Sequence, residues 1–231
     1  MTCSTSIDLG NLRREFDQQH YIRLPQLLHS ELLRKIERQL PEDDFSEMVH
    51  EGVGTEFVIK DGVAPRLLNF VVNRRAFFSI VEQITGCGRI GCFSGRVYRM
   101  VPSEGHHDSW HDDIDDAPAV AGAEVAQQEP TGRLIALSMN LSEGPYAGGA
   151  LQIRDKKTRE ILREVRNVVF GDAIIFRLAP HLQHKVAEVK GNVAKTAFAG
   201  WFLRRPDFEA MYTHQQWSAR SAQSGPSVRM R

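Results

Sequence analysis

The sequence predicts a mainly β fold with flanking helices, a double-stranded β-helix or jelly roll. Three observations carry this. From about residue 90 onward, short β-type runs alternate with Gly, Pro and Asp at intervals typical of a sandwich or barrel. The segment before it has apolar residues at helical spacing. The 231 residues suffice for one well-buried domain and, once the polar ends are set aside, not for two large ones.

Along the chain, Asp8 to Leu40 has helix-period apolar positions at Leu9, Leu12 and Phe16 and again at Leu28, Leu32, Leu33 and Ile36. Between them Tyr21 to Leu24 reads as a short strand stopped by Pro25. Ser30 is the expected N-cap of the second helix and Pro41 its end, and Arg74 to Thr85 reads as a further helix closed by Gly86. The expected strands are Arg96 to Val101, Leu134 to Leu141, Ala150 to Arg154, Val165 to Phe170, Ala173 to Leu178, Lys185 to Val189 and Lys195 to Arg204. Seven or eight strands after a helical preface suggest the double-sheet jelly roll of cupin-like proteins. The preface spans about 1–86 and the jelly-roll core about 90–204, within one domain of residues 1–214. Ser103 to Gly132 is too irregular and too long for an ordinary connection, so it is disordered or a functional lid. Residues 215–231 are expected to form a polar, loosely ordered tail. Substrate specificity is expected in two loops, Glu51 to Leu68 and Ser103 to Gly132.

Lys plus Arg and Asp plus Glu each number 29, and no long basic block points to nucleic acid or an anionic membrane surface. The longest apolar runs, Ala173 to Phe176 and Ala197 to Phe202, fall far below the roughly 20 residues of a membrane-spanning helix. The opening Met1-Thr2-Cys3-Ser4-Thr5 lacks the pattern of a secretory signal, so a cytoplasmic protein is expected. Cys3, Cys87 and Cys92 are odd in number and not in a paired-ligand spacing, which leaves them as reduced thiols.

The chemistry concentrates in Gly105-His106-His107-Asp108-Ser109-Trp110-His111-Asp112-Asp113, where two His-x-Asp patterns fall within nine residues. In extended chain, alternate residues share a side, so either pattern points an imidazole and a carboxylate the same way. A second histidine from a distant strand would complete two imidazoles and one carboxylate on one face of a metal, a set suited to non-haem Fe(II) with open positions opposite. His181 and His184 both offer that histidine; Val186 and Val189 continue a strand from His184 and favour it. Lys195 follows on a mostly apolar strand with Ala197, Phe198, Trp201 and Phe202, where a cation is costly without an anionic partner. A dicarboxylate chelating iron at one end and meeting the lysine at the other would be that partner.

These residues occur in an order that resembles the prolyl-4-hydroxylase-like branch of the Fe(II)/2-oxoglutarate-dependent dioxygenases. The likeness runs from about Phe16 to Phe202. It includes Tyr98, Gly105 before His111-Asp112-Asp113, Met139-Asn140-Leu141, Gly148-Gly149-Ala150-Leu151, Gly171-Asp172 before Ala173 to Phe176, His184-Lys185-Val186, Gly191, Lys195 and Gly200-Trp201-Phe202. The resemblance implies that His111, Asp113 and His184 ligate Fe(II), that Lys195 pairs with the distal carboxylate of 2-oxoglutarate, and that Tyr98 lies near that cosubstrate. Lys195 stands eleven positions after His184, one later than the family's basic residue, which is usually Arg, so Thr196 is the neighbouring candidate. Retention of Asp113 favours hydroxylation over halogenation. The implied reaction consumes 2-oxoglutarate and O2, releases succinate and CO2, and oxidises an unactivated C–H bond.

A compact chain with no binding module favours a small-molecule substrate. A protein or peptide hydroxylase of the prolyl type is the second reading, and a cupin-like metal-binding or sensor protein without turnover the third. Zinc hydrolase chemistry is disfavoured because no HExxH helix is present.

Overall fold

The computed structural model describes residues 8–41, 44–50, 54–59, 62–102, 108–114, 132–142 and 144–205. The expected tail and most of the expected lid lie outside them.

Helix α1 (Leu9–Gln19) starts at Asp8, whose carboxylate accepts from the Asn11 N–H at 3.0 Å, and stops at His20, which turns left-handed at φ 64°. Strand β1 (Tyr21–Leu24) follows as predicted. Helix α2 (Ser30–Glu37) is capped by His29 and not by Ser30: His29 stays extended and its Nδ1 accepts from the Glu31 N–H at 3.4 Å, so Ser30 is already helical. The helix also ends before Pro41, with Arg38 as its C-cap.

The largest departure concerns Glu51 to Leu68, expected as a loop. It holds β3 (Gly54–Ile59), which pairs with the preceding β2 (Ser46–His50) as a hairpin, and the start of a helix, α3 (Val63–Val72). The hairpin lacks a clean polar-outside alternation because Glu56, which faces inward, is buried. In α3 Pro65 reads as a helix breaker, yet it sits in the first turn, where its missing N–H costs nothing. Helix α4 (Arg75–Thr85) ends at Gly86 with φ 61°, as expected.

The remaining strands are β4 (Cys92–Met100), β5 (Arg133–Asn140), β6 (Ala147–Gly148), β7 (Leu151–Asp155), β8 (Ile161–Val165), β9 (Ala173–Arg177), β10 (Leu182–Val186), β11 (Val189–Lys190) and β12 (Lys195–Leu203). Two expected strands are displaced. The strand near Val165 precedes that residue, because beyond it the Asn167 amide donates to Asp172 O at 2.9 Å and the Tyr146 hydroxyl donates to Asn167 O at 2.7 Å, bonds that draw the backbone into a loop. The strand expected from Lys185 begins at Leu182, so His184 sits at its centre.

All pairings are antiparallel. A seven-stranded sheet runs β1-β9-β5-β12-β4-β3-β2, and a small sheet runs β10-β7-β8. The large sheet buries Phe93, Val97, Phe198 and Phe202 against Phe16, Leu68, Phe78 and Ile84 of the helices. Its other face meets the small sheet through Ala136, Ile174 and Phe176 against Leu151, Ile153 and Leu182. This is the predicted jelly roll, with helices behind one sheet and a cavity between the two. The preface called helical also supplies three strands to the large sheet.

Gly200 is opposite Gly95 across β12 and β4, and a Cβ at Gly200 would lie 2.0 Å from the Ser94 carbonyl oxygen. Gly200→Ala is therefore expected to lose on the order of 1–3 kcal/mol, seen as a Tm several degrees lower in thermal denaturation.

Candidate metal centre

The segment from Asp108 to His111 lies along the free edge of β10. Asp108 N–H donates to Val186 O at 3.1 Å, and His111 and His184 exchange backbone bonds of 3.1 and 2.9 Å. Alternation then divides the side chains: His111 and Asp113 line the cavity, while Trp110 and Asp112 make contacts on the outer side. Trp110 lies 4.2 Å from the Arg154 guanidinium and 4.9 Å from the Lys185 ammonium, and Asp112 pairs with Lys156 at 2.8 Å. The outward residues pin the strand that carries the inward ones.

Inside, His111, Asp113 and His184 each offer one ligand atom, all within 4.8 Å of one another. His111 Nε2 is 3.9 Å from Asp113 Oδ1 and His184 Nε2 is 3.2 Å from Asp113 Oδ2. His111 Nδ1 is 2.8 Å from the Ser109 carbonyl oxygen, which only accepts, so Nδ1 carries the proton and Nε2 presents its lone pair inward. Trp201 Nε1 donates to Asp113 Oδ2 at 2.6 Å, and Arg133, stacked 4.0 Å from the Trp201 ring, reaches Asp113 Oδ1 at 3.4 Å. Burial alone would raise the Asp113 pKa, but hydrogen bonds from His184 and Trp201 outweigh it and hold the carboxyl well below its ordinary range. It is present as an anion.

Lys195 lines the same cavity, of about 370 Å³. It is 5 % exposed, and its Nζ donates to Gly149 O at 2.9 Å. Gly149 allows this approach: its φ is +60°, and a Cβ there would lie 3.1 Å from Lys195 Cδ. Burial pushes the ammonium down to about 8, while the carboxylates of Asp108 and Glu56 pull it back up. Tyr98 is buried beside it, its ring 5.9 Å from Nζ; burial first, then Asp108 and Glu56, raises its pKa, so the phenol stays a neutral donor.

The cavity thus unites five of the six residues singled out in the sequence. Thr196 lies on the opposite face of β12, where its Oγ1 accepts from Arg99 Nε at 3.1 Å. His181 is exposed at the start of β10, and His106 and His107 lie outside the described residues. Asp108 lines the cavity, as do Trp201, Arg133, Glu56 and Arg96; the sequence alone leaves Arg96 open between serving the substrate and facing water, and gives Arg133 and Glu56 no role. The parity of β12 was the available signal for Trp201, since Lys195, Ala197, Ala199 and Trp201 share one face.

A jelly roll with two imidazoles and a carboxylate on one wall has the donor set of the non-haem iron oxygenases. Residues 95–203 match the model of the 2OG-Fe(II) oxygenase superfamily, and the fold is prolyl-4-hydroxylase-like; the match supports an oxidoreductase whose reagents are Fe(II), 2-oxoglutarate and O2. Among solved structures it is similar to a Pseudomonas putida prolyl-4-hydroxylase (17% identity, 85% of this chain and 99% of that one, TM-score 0.61). It is similar also to a Trichoplax adhaerens prolyl hydroxylase in complex with a hypoxia inducible factor peptide fragment (12%, 89% and 91%, TM-score 0.58). A third is the epimerase SnoN of nogalamycin biosynthesis in complex with Fe3+, alpha ketoglutarate and nogalamycin RO (12%, 96% and 93%, TM-score 0.58). A search of curated proteins gave no match. Among the described residues no helix is long and apolar enough to cross a membrane.

Proposed function

We propose that residues 1–214 form one oxygenase domain that hydroxylates an unactivated C–H bond of a small molecule, with His111, Asp113 and His184 holding Fe(II) and Lys195 the distal carboxylate of 2-oxoglutarate. The observation that carries this is a single cavity of about 370 Å³ lined by both the three converging donors and a buried ammonium. The donors fit the metal by type: two imidazoles and an anionic carboxylate. The ammonium fits the oxoacid because its burial is costly until a carboxylate meets it.

Bound iron would supply oxygen activation coupled to decarboxylation of 2-oxoglutarate to succinate and CO2. The chain's own part is positional. Ser109 O fixes the His111 tautomer, Trp201 fixes the plane of Asp113, Gly149 O and Tyr98 place the Lys195 ammonium, and Leu151, Val165, Ile174 and Phe176 keep that wall apolar. The size of the cavity supports a small substrate over an extended peptide.

The test is Fe(II)-reconstituted protein in air with carboxyl-labelled 2-oxoglutarate. Release of labelled CO2 that stops in His184→Ala supports the reading; iron bound with no release would leave a metal-binding protein without turnover. The outward clamp has its own consequence. Trp110→Ala is expected to weaken Fe(II) binding by about tenfold, measured by competition with a chelator, while the circular dichroism spectrum is unchanged.

A further inference from the structure

One polar cluster on the cavity wall has no part in the proposed metal or oxoacid contacts. Glu56 on β3 is 6 % exposed, although a buried carboxylate is costly unless paired. Arg96 on β4 donates to it through Nε at 2.9 Å and Nη2 at 2.5 Å, and His50 Nε2 lies 2.9 Å away. All three contacts converge on one oxygen, Oε1. Among the described residues, Glu56 Oε2 and Arg96 Nη1 make no hydrogen bond, and both residues line the cavity.

A cross-strand ion pair kept only for the fold gains most as a two-pronged fork that uses both oxygens. This one uses a single oxygen, so a charged donor and a charged acceptor are left side by side. The backbone ladders of β2, β3 and β4 already hold these strands together. The guanidinium lies 5.8 Å from the Trp201 ring, whose indole N–H holds Asp113 at 2.6 Å, so the pair stands one aromatic ring from the triad. Ala199, opposite Arg96 across the ladder, adds only a methyl and leaves room.

We infer that this wall binds the head group of a free α-amino acid, its carboxylate accepting from Arg96 and its ammonium donating to Glu56, with the side chain directed toward the triad. A zwitterion is the ligand that uses both groups without leaving a net charge buried. The inference rests on the oxygenase reading and names the substrate class of that site.

The experiment is calorimetric titration, under nitrogen, of the Fe(II)–2-oxoglutarate protein with the proteinogenic L-amino acids, and of any binder's α-amide and N-acetyl derivatives. A free amino acid is expected to bind, and loss of either charge to weaken it by about tenfold or more. Arg96→Met should erase the preference for acid over amide, and Glu56→Gln the preference for free over acetylated amine. Equal binding of all three forms by the wild type overturns the inference with no variant needed. So does the absence of any binder when the 2-oxoglutarate complex has formed, and so do variants that weaken all three forms alike. A protein that takes iron but no 2-oxoglutarate fails the oxygenase reading, and this inference with it.

Discussion

His184→Ala is expected to lose Fe(II) on dialysis and to fall to background in oxygen-dependent consumption of 2-oxoglutarate. His184 is 7 % exposed at the centre of β10, with its ring 4.5 Å from that of His111 and 4.9 Å from that of Phe176. Packing fixes that ring beside the other two donors. Asp113→Ala should behave alike, because it removes the anion that His111 and His184 flank. Outer contacts of a metal site typically cost 10–100-fold in affinity, so loss of a ligand itself should cost at least about a hundredfold. Iron stoichiometry by colorimetric chelation, with circular dichroism to confirm the fold, checks both variants. Full iron retention in either would remove that residue from the ligand set.

Lys195→Met is expected to raise the 2-oxoglutarate Kd by about a hundredfold, since truncating one partner of a buried charge pair costs about 2–5 kcal/mol. The pH dependence gives a finer test. Burial holds the Lys195 ammonium at about 8 in the ligand-free protein, against an ordinary 10.5. Above about pH 8 the free protein must first regain a proton before it can pair with the oxoacid, so affinity should fall by up to tenfold per pH unit. Lys195→Arg should flatten that profile, because a guanidinium keeps its charge. For folding, the unfolded chain holds the extra proton between about 8 and 10.5, so the contribution of Lys195 to stability rises with pH across that window. Titration calorimetry across pH 7 to 10 for wild type and Lys195→Arg reads the binding effect directly; parallel profiles would detach Lys195 from the oxoacid.

Most of the jelly roll was legible because its strands are short apolar runs punctuated by Gly, Pro and Asp. Misreadings occurred where side chains serve the interior unusually. Glu56 put a charge on the buried face of β3 and hid that strand, and Pro65 concealed α3 by standing in a first turn. Asn167 drew Val165 to Phe170 out of the ladder with side-chain bonds that no periodicity reports. His111, Asp113, His184, Lys195 and Tyr98, which line one cavity, were singled out because the first two lie two residues apart, His184 directly precedes an expected strand, Lys195 and Tyr98 lie on expected strands, and their order resembles the dioxygenase family. Of their partners, Trp201 read as part of an apolar strand, Arg133 carried no assignment, and Arg96 was open between serving the substrate and facing water. Only the register of β12 with β4 and β5 brings these three to one cavity.

The most direct measurement is an anaerobic titration of the apo-protein with Fe(II) and then 2-oxoglutarate, following the visible metal-to-ligand charge-transfer band in wild type, His111→Ala and Lys195→Ala. The account predicts a band in the wild type, none in His111→Ala, and one in Lys195→Ala that needs far more 2-oxoglutarate to develop. Iron bound stoichiometrically by the wild type with no band at any 2-oxoglutarate concentration would contradict it.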